Sequence, residues 1–173
     1  DYNNEVLKIL KQRIKEKNLN NISALKCNFN KINEIKIKKH DNIVLFDVME
    51  HIGNDLLFLK SIKKLFNKYM FVSVPIQSPE NIFKTGFTFG TYCDLTHKRY
   101  YTKESIEKLF QKAGLKIIEL KEINFIYPQP FIAQILDHKH IPTSLISKLL
   151  YGKLRSVKYK KIPINYIITA VKS

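Results

Sequence analysis

Asp47, Glu50, His51 and His97 are the residues of this 173-residue chain whose types and spacing fit chemistry. Carboxylate oxygen and imidazole nitrogen together suit a divalent cation such as Mg or Mn, and Asp47, Glu50 and His51 fall on adjacent turns of one helix start. The first three crowd the end of Asp41–Ile52, which reads DNIVLFDVMEHI. Its apolar run, Ile43 to Phe46, has the pattern of a parallel strand buried on both faces. Open α/β sheets bind ligands just outside the C-terminal ends of such strands, so this stretch is the best functional-site candidate. The competing reading is purely structural: His51 bonds backbone at a helix start, and His97 packs beneath a loop.

The elements that must position these groups follow from periodicity and punctuation. Val6, Leu7, Leu10 and Ile14 recur at helical spacing and predict an amphipathic helix over Asp1–Asn18, capped by Asn3 or Asn4 with Glu5 in its first turn. Ile22–Cys27 reads as a short strand with Asn28-Phe29-Asn30 as its exit, and Lys31–His40 as a connector. A second amphipathic helix is expected over Asn54–Phe66 and a buried strand over Met70–Pro75. Ile76–Lys98 is a long, aromatic loop of the kind used as a lid or binding segment. Thr102 caps a helix that runs to Ala113-Gly114, with strands expected at Leu115–Leu120 and Asn165–Val171 and a helix at Ser144–Leu150. With no repeat or linker, the chain reads as one domain of an α/β layered sheet.

Composition narrows the function classes. Hydrophobic residues make up 45% and charged residues 26%, which is ordinary for a soluble globular chain and excludes disorder. No apolar run reaches the roughly 18 residues of a membrane span, and no signal peptide is visible, so a cytoplasmic location is the default. Cys27 and Cys93 lie in no metal-binding spacing and read as reduced thiols. The net charge of +15 would attract nucleic acid, anionic lipid or phosphorylated substrates. Yet arginine occurs only at Arg13, Arg99 and Arg155; lysine carries the rest beside abundant isoleucine and asparagine. That favours a composition bias over a surface built for polyanions.

Asp41 through Asp47-Val48-Met49-Glu50-His51 resembles the fourth strand of class I S-adenosylmethionine-dependent methyltransferases, which typically ends in D-V-L-E-H. Met70–Pro75 resembles their fifth strand, His97-Lys98-Arg99-Tyr100-Tyr101-Thr102 their H-x-R-F-Y-T, and Ala113-Gly114-Leu115 their A-G-F. The resemblance implies a Rossmann-like methyltransferase sheet, mostly parallel with an antiparallel last strand. It implies a cofactor, S-adenosylmethionine, held by Asp1 near the ribose, Asn28 and Phe29 near the adenine, and Asp47. The family's G-x-G-x-G turn after strand one has no counterpart here. The expectation is therefore a single partial domain over residues 1–173, lacking the first strand and glycine loop and binding the cofactor poorly alone.

Methyl transfer to a hydroxyl needs a group that takes its proton, and His51 and His97 are the candidates. The implied acceptor is a small molecule such as a saccharide, lipid or quinone precursor. His97-Lys98 and the E-x-x-E-H-like run also resemble metal-dependent RNA terminal 2′-O-methyltransferases, which makes RNA and a divalent metal the alternatives. A third reading is a basic, non-catalytic binding remnant. His138-Lys139-His140 reads as a solvated loop. Phe83, Phe87, Phe89, Tyr92, Tyr100 and Tyr101 either line an acceptor pocket or pack the long loop.

Overall fold

The computed structural model describes residues 3–28, 32, 37–76, 94–126 and 162–173. Expectations that fall on Asp1, Phe29, Cys93, the aromatics of 83–92, His138–His140 and Ser144–Leu150 lie outside the described residues.

Helix α1 (Asn4–Glu16) starts where Asn3 Oδ1 accepts the amides of Glu5 and Val6, at 2.8 and 3.4 Å. Strand β1 (His40–Phe46) is followed by a single 3₁₀ turn at Met49–His51 and by α2 (Asp55–Ile62), which Asn54 caps through the amide of Leu57. Helix α2 stops four residues before the expected Phe66. Lys63–Leu65 tightens into a 3₁₀ turn, and β2 (Phe66–Pro75) begins where the expected helix would have ended. Thr102 and Ser105 form a reciprocal capping box at α3 (Lys103–Ala113), and Gly114, at φ 71°, supplies the left-handed residue that closes it. Strand β3 (Leu115–Ile126) follows, and β4 (Ile162–Lys172) ends the chain.

The four strands are ordered β1-β2-β4-β3. β1 pairs parallel to β2, and β4 runs antiparallel to both β2 and β3. Three strands therefore point one way and the last in the chain opposes them, as expected. One face carries the core: Leu45, Met70, Val72, Val74, Ile168 and Ala170 pack against Phe58, Leu59 and Ile62 of α2 and Ile106, Phe110 and Ala113 of α3.

Two expectations fail. Ile22–Cys27 forms no strand; Ile22 and Leu25 are exposed and only Cys27 turns inward. An extended segment becomes a strand only when a neighbour takes its N–H and C=O groups, and no described strand does so here. Nor is β1 covered on both faces. It has a partner on one side only among the described residues, and Val44 and Phe46 stand 57% and 55% exposed while Leu45 is buried.

Candidate active site

The site is built where β1 leaves the sheet. Asp47 adopts φ 51°, a left-handed conformation that aspartate tolerates better than most residues. Ser73 of β2 holds it there. The Asp47 amide donates to the Ser73 carbonyl and Oγ, both at 3.2 Å, and Ser73 Oγ donates back to Asp47 Oδ1 at 2.9 Å. Asn165 of β4 adds a longer bond to the same oxygen, 3.4 Å, and itself accepts from Asn124 of β3 at 3.2 Å. A polar row thus crosses the C-terminal ends of β1, β2 and β3.

The reversal at Asp47 feeds the Met49–His51 turn, which drives Met49 and Glu50 inward and leaves His51 at the surface. The segment 94–101 is clamped over this turn. Lys98 donates its amide to the Glu50 carbonyl at 2.7 Å; Tyr101 Oη lies 3.2 Å from both the Met49 carbonyl and Asp55 Oδ2. Arg99 pairs with Asp55 at 2.5 Å and donates to the Gly53 carbonyl. Burial, then the negative charge of Asp55, pushes the Tyr101 phenol far above its ordinary pKa, so it stays a neutral donor.

This clamp brings His97 to His51, with ring centroids 4.8 Å apart and edge to face. One ligand atom from each of Glu50, His51 and His97 falls within 4.8 Å of the others. Glu50 is 1% exposed, and its Oε2 has no partner among the described residues; neither has the buried Nδ1 of His97. Burial pushes the Glu50 carboxyl up, its own backbone hydrogen bond opposes this, Asp47 pushes it further up, and the two imidazoles pull it down.

Hydrogen-bond accounting fixes His51. Asp94 Oδ1 takes the Thr96 hydroxyl proton at 2.6 Å, and Thr96 Oγ1 lies 2.9 Å from His51 Nδ1. Those hydrogen bonds to Thr96 hold the Asp94 carboxyl below its ordinary pKa, so it is an acceptor only. The threonine has one proton, already donated, so His51 Nδ1 must donate to Thr96. That leaves the lone pair on Nε2.

Of the expected site residues, His51 and His97 meet as anticipated, and Glu50 joins them. Asp47 lies at the strand end but is turned toward Ser73 and Asn165 rather than into this cluster. Asn28 is half-buried on a segment that is not a strand. Tyr101 is a clamp, not a pocket wall, whereas Tyr100 stacks edge-on against His97 at 5.9 Å. The Asp94–Thr96 pair was missed. Its signal was available: an aspartate two residues before a threonine makes an Asx turn, seen here as Thr96 N to Asp94 Oδ1 at 2.8 Å.

A family model described as a methyltransferase domain matches residues 4–120. The chain belongs to the methyltransferase domain family. Solved structures agree on the fold. A Bacillus halodurans protein assigned as a methyltransferase is 13% identical, with a TM-score of 0.64 over 98% of this chain and 80% of that one. An S-adenosylmethionine-dependent methyltransferase of Archaeoglobus fulgidus is 15% identical, TM-score 0.61, over 99% and 74%. One of Aquifex aeolicus is 14% identical, TM-score 0.55, over 98% and 65%. A search of curated proteins finds no significant match. In this methyltransferase domain the cluster lies at the end of the sheet where open α/β folds take their ligands. No described helix is long and apolar enough to cross a membrane.

Two predictions follow from the cluster. The folded-state pKa of Glu50 is raised, so the folded protein holds that proton longer than the unfolded chain does. Stability from this group is full below the ordinary carboxylate range and is lost as pH rises through the raised value. Without added metal, Glu50→Gln is therefore expected to melt higher than wild type near pH 7 and to lose the advantage in acid; a lower melting point near neutrality would refute the burial argument. Thr96→Val removes the acceptor at Nδ1, and long-range ¹H–¹⁵N spectra should show His51 moving from the Nδ1–H to the Nε2–H tautomer. An unchanged spectrum would mean that Thr96 does not set it.

Proposed function

We propose that this methyltransferase domain uses S-adenosylmethionine to methylate an oxygen of a small-molecule acceptor of the saccharide, lipid or quinone-precursor type. The observation that carries the reading is the Nε2 lone pair of His51, beside His97, at the ligand end of the sheet. When bound, S-adenosylmethionine supplies a methyl carbon attached to a positively charged sulfur. The residues present fit part of such a group. Asp47 is an exposed carboxylate whose Oδ2 has no partner among the described residues, suited to a cationic ligand.

In this scheme His51 Nε2 accepts the acceptor's hydroxyl proton as that oxygen forms its bond to the methyl carbon. Bound there, S-adenosylmethionine would release the methyl and keep the electron pair of its sulfur–carbon bond on sulfur, which balances the transfer. Thr96 and Asp94 hold the imidazole in the tautomer that can do this, and His97 with Tyr100 walls one side. The test is transfer of labelled methyl to a panel of hydroxyl-bearing acceptors. His51→Ala is expected to lower kcat by about 10²–10⁴, the range for loss of a general base, with a smaller effect on KM. A variant turning over at the wild-type rate would remove His51 from the chemistry.

A second reading rests on a separate observation: Glu50 Oε2 and His97 Nδ1, both buried beside His51, have no partner among the described residues. A buried carboxylate and imidazole left without partners cost free energy unless something completes them. These donors suit a divalent cation, with Glu50, His51 and His97 as ligands, and such an ion would lower the pKa of a bound acceptor hydroxyl. Mn²⁺ or Mg²⁺ is then expected to raise the melting temperature of wild type and not of Glu50→Gln, and a chelator to abolish transfer. Full activity in chelator would leave the base reading alone.

A further inference from the structure

The end of the sheet away from the candidate active site carries an unusual concentration of charge. A solvent-open hollow of about 450 Å³ is lined by Lys39, Lys60, Lys63, Lys64, Ala113 and Lys172. Lys39 precedes β1, Lys60 lies on α2, Lys63 and Lys64 lead into β2, and Lys172 ends β4. Three of the five, Lys60, Lys63 and Lys64, come from one short stretch, and Lys39 and Lys172 join them from the ends of β1 and β4. β1 alone spans roughly 20 Å at ~3.3 Å per residue, which separates this hollow from the cluster beyond Phe46.

The nearby basic side chains behave differently. Lys68 pairs with Asp41 at 2.7 Å, and Lys121 with Glu119 at 2.5 Å. None of the five lysines in the hollow has an acidic partner among the described residues, and no carboxylate lines it. Charge at helix ends explains part of the arrangement. Lys63 reaches the C-terminus of α3, where a methyl group on Gly114 would collide with its Nζ. Lys39 and Lys172 extend from strands and serve no helix end of their own.

We propose that this hollow binds the phosphate groups of a small, multiply charged anion, such as a diphosphate, at a site separate from the candidate active site. Ammonium groups act as point charges toward phosphate. The main cost of ordering lysines, their side-chain entropy, is reduced here for two of them. Lys63 is seated over Gly114, and Lys172 Nζ lies 5.2 Å from the ring centroid of the fully buried Phe66. RNA is the less suited ligand: among the described residues the lining offers neither an aromatic face for a base nor an arginine fork. A lipid surface is less suited too, because among the described residues Ala113 is the one apolar member of the lining.

The test is calorimetric titration with inorganic pyrophosphate of the wild-type chain and two triple variants of equal charge. Lys39→Gln/Lys60→Gln/Lys64→Gln alters the hollow; Lys8→Gln/Lys11→Gln/Lys15→Gln alters α1. All six side chains are exposed, so both variants are expected to melt with wild type. Wild type and the α1 variant should bind one pyrophosphate each, and the hollow variant should bind at least about tenfold more weakly. Raising salt from about 50 to about 200 mM should weaken binding, because the contacts are screened. Absence of saturable binding, or equal weakening in both variants, would overturn the site. So would single-stranded RNA or anionic vesicles that bind more tightly than pyrophosphate and depend equally on both sets of lysines. None of these outcomes depends on methyl transfer, so the site and the proposed activity fail separately.

Discussion

The candidate site at the end of the sheet depends on one backbone reversal. At Asp47 the chain leaves β1 through a left-handed residue, a conformation that costs a non-glycine residue about 1–2 kcal/mol. Ser73 offsets that cost with three hydrogen bonds from the adjacent parallel strand, so the reversal is available only because β1 and β2 are in register Phe46 to Ser73. The turn then points Glu50 inward and His51 outward, and the clamp formed by Lys98, Arg99 and Tyr101 adds His97. The sheet positions the chemistry through a hydroxyl and a carbonyl, not through bulk packing.

The clamp and the cluster are energetically linked. Residues 98–101 tie their own backbone and side chains to the Met49–Asp55 segment, so the two segments constrain each other. Within that frame Glu50 is half satisfied: its backbone carbonyl is taken by Lys98, while one buried carboxylate oxygen has no partner among the described residues. Rigid surroundings and an uncompensated donor set are what a ligand-binding centre needs, because the ordering cost is met before the ligand arrives.

Much of this was legible in the sequence where chemistry and punctuation coincide. The apolar run before Asp47 and the Thr102 and Gly114 signals located the strand and α3, and the acid-histidine run marked residues that the fold brings together with His97. What sequence could not show is pairing. Val44 and Phe46 have the composition of a core strand, but burial is conferred by neighbours, and among the described residues β1 has one on a single side. Ile22–Cys27 fails for the same reason. Helix α2 gives way to the 3₁₀ turn at Lys63–Leu65, and Phe66, the last residue of the expected helix, is instead fully buried as the first residue of β2. The tautomer of His51 was beyond reach, since it depends on a threonine that lies 45 residues away in sequence.

Among the described residues one side of β1 has no partner strand. A strand edge of that kind, beside the exposed Val44 and Phe46, is a template that another extended chain can copy. Long-range repulsion from a +15 molecule is what keeps such edges apart. Because that repulsion is screened beyond about 8 Å at physiological ionic strength, the lysines that look like a genomic habit also act as a solubility device whose strength is set by the surrounding salt.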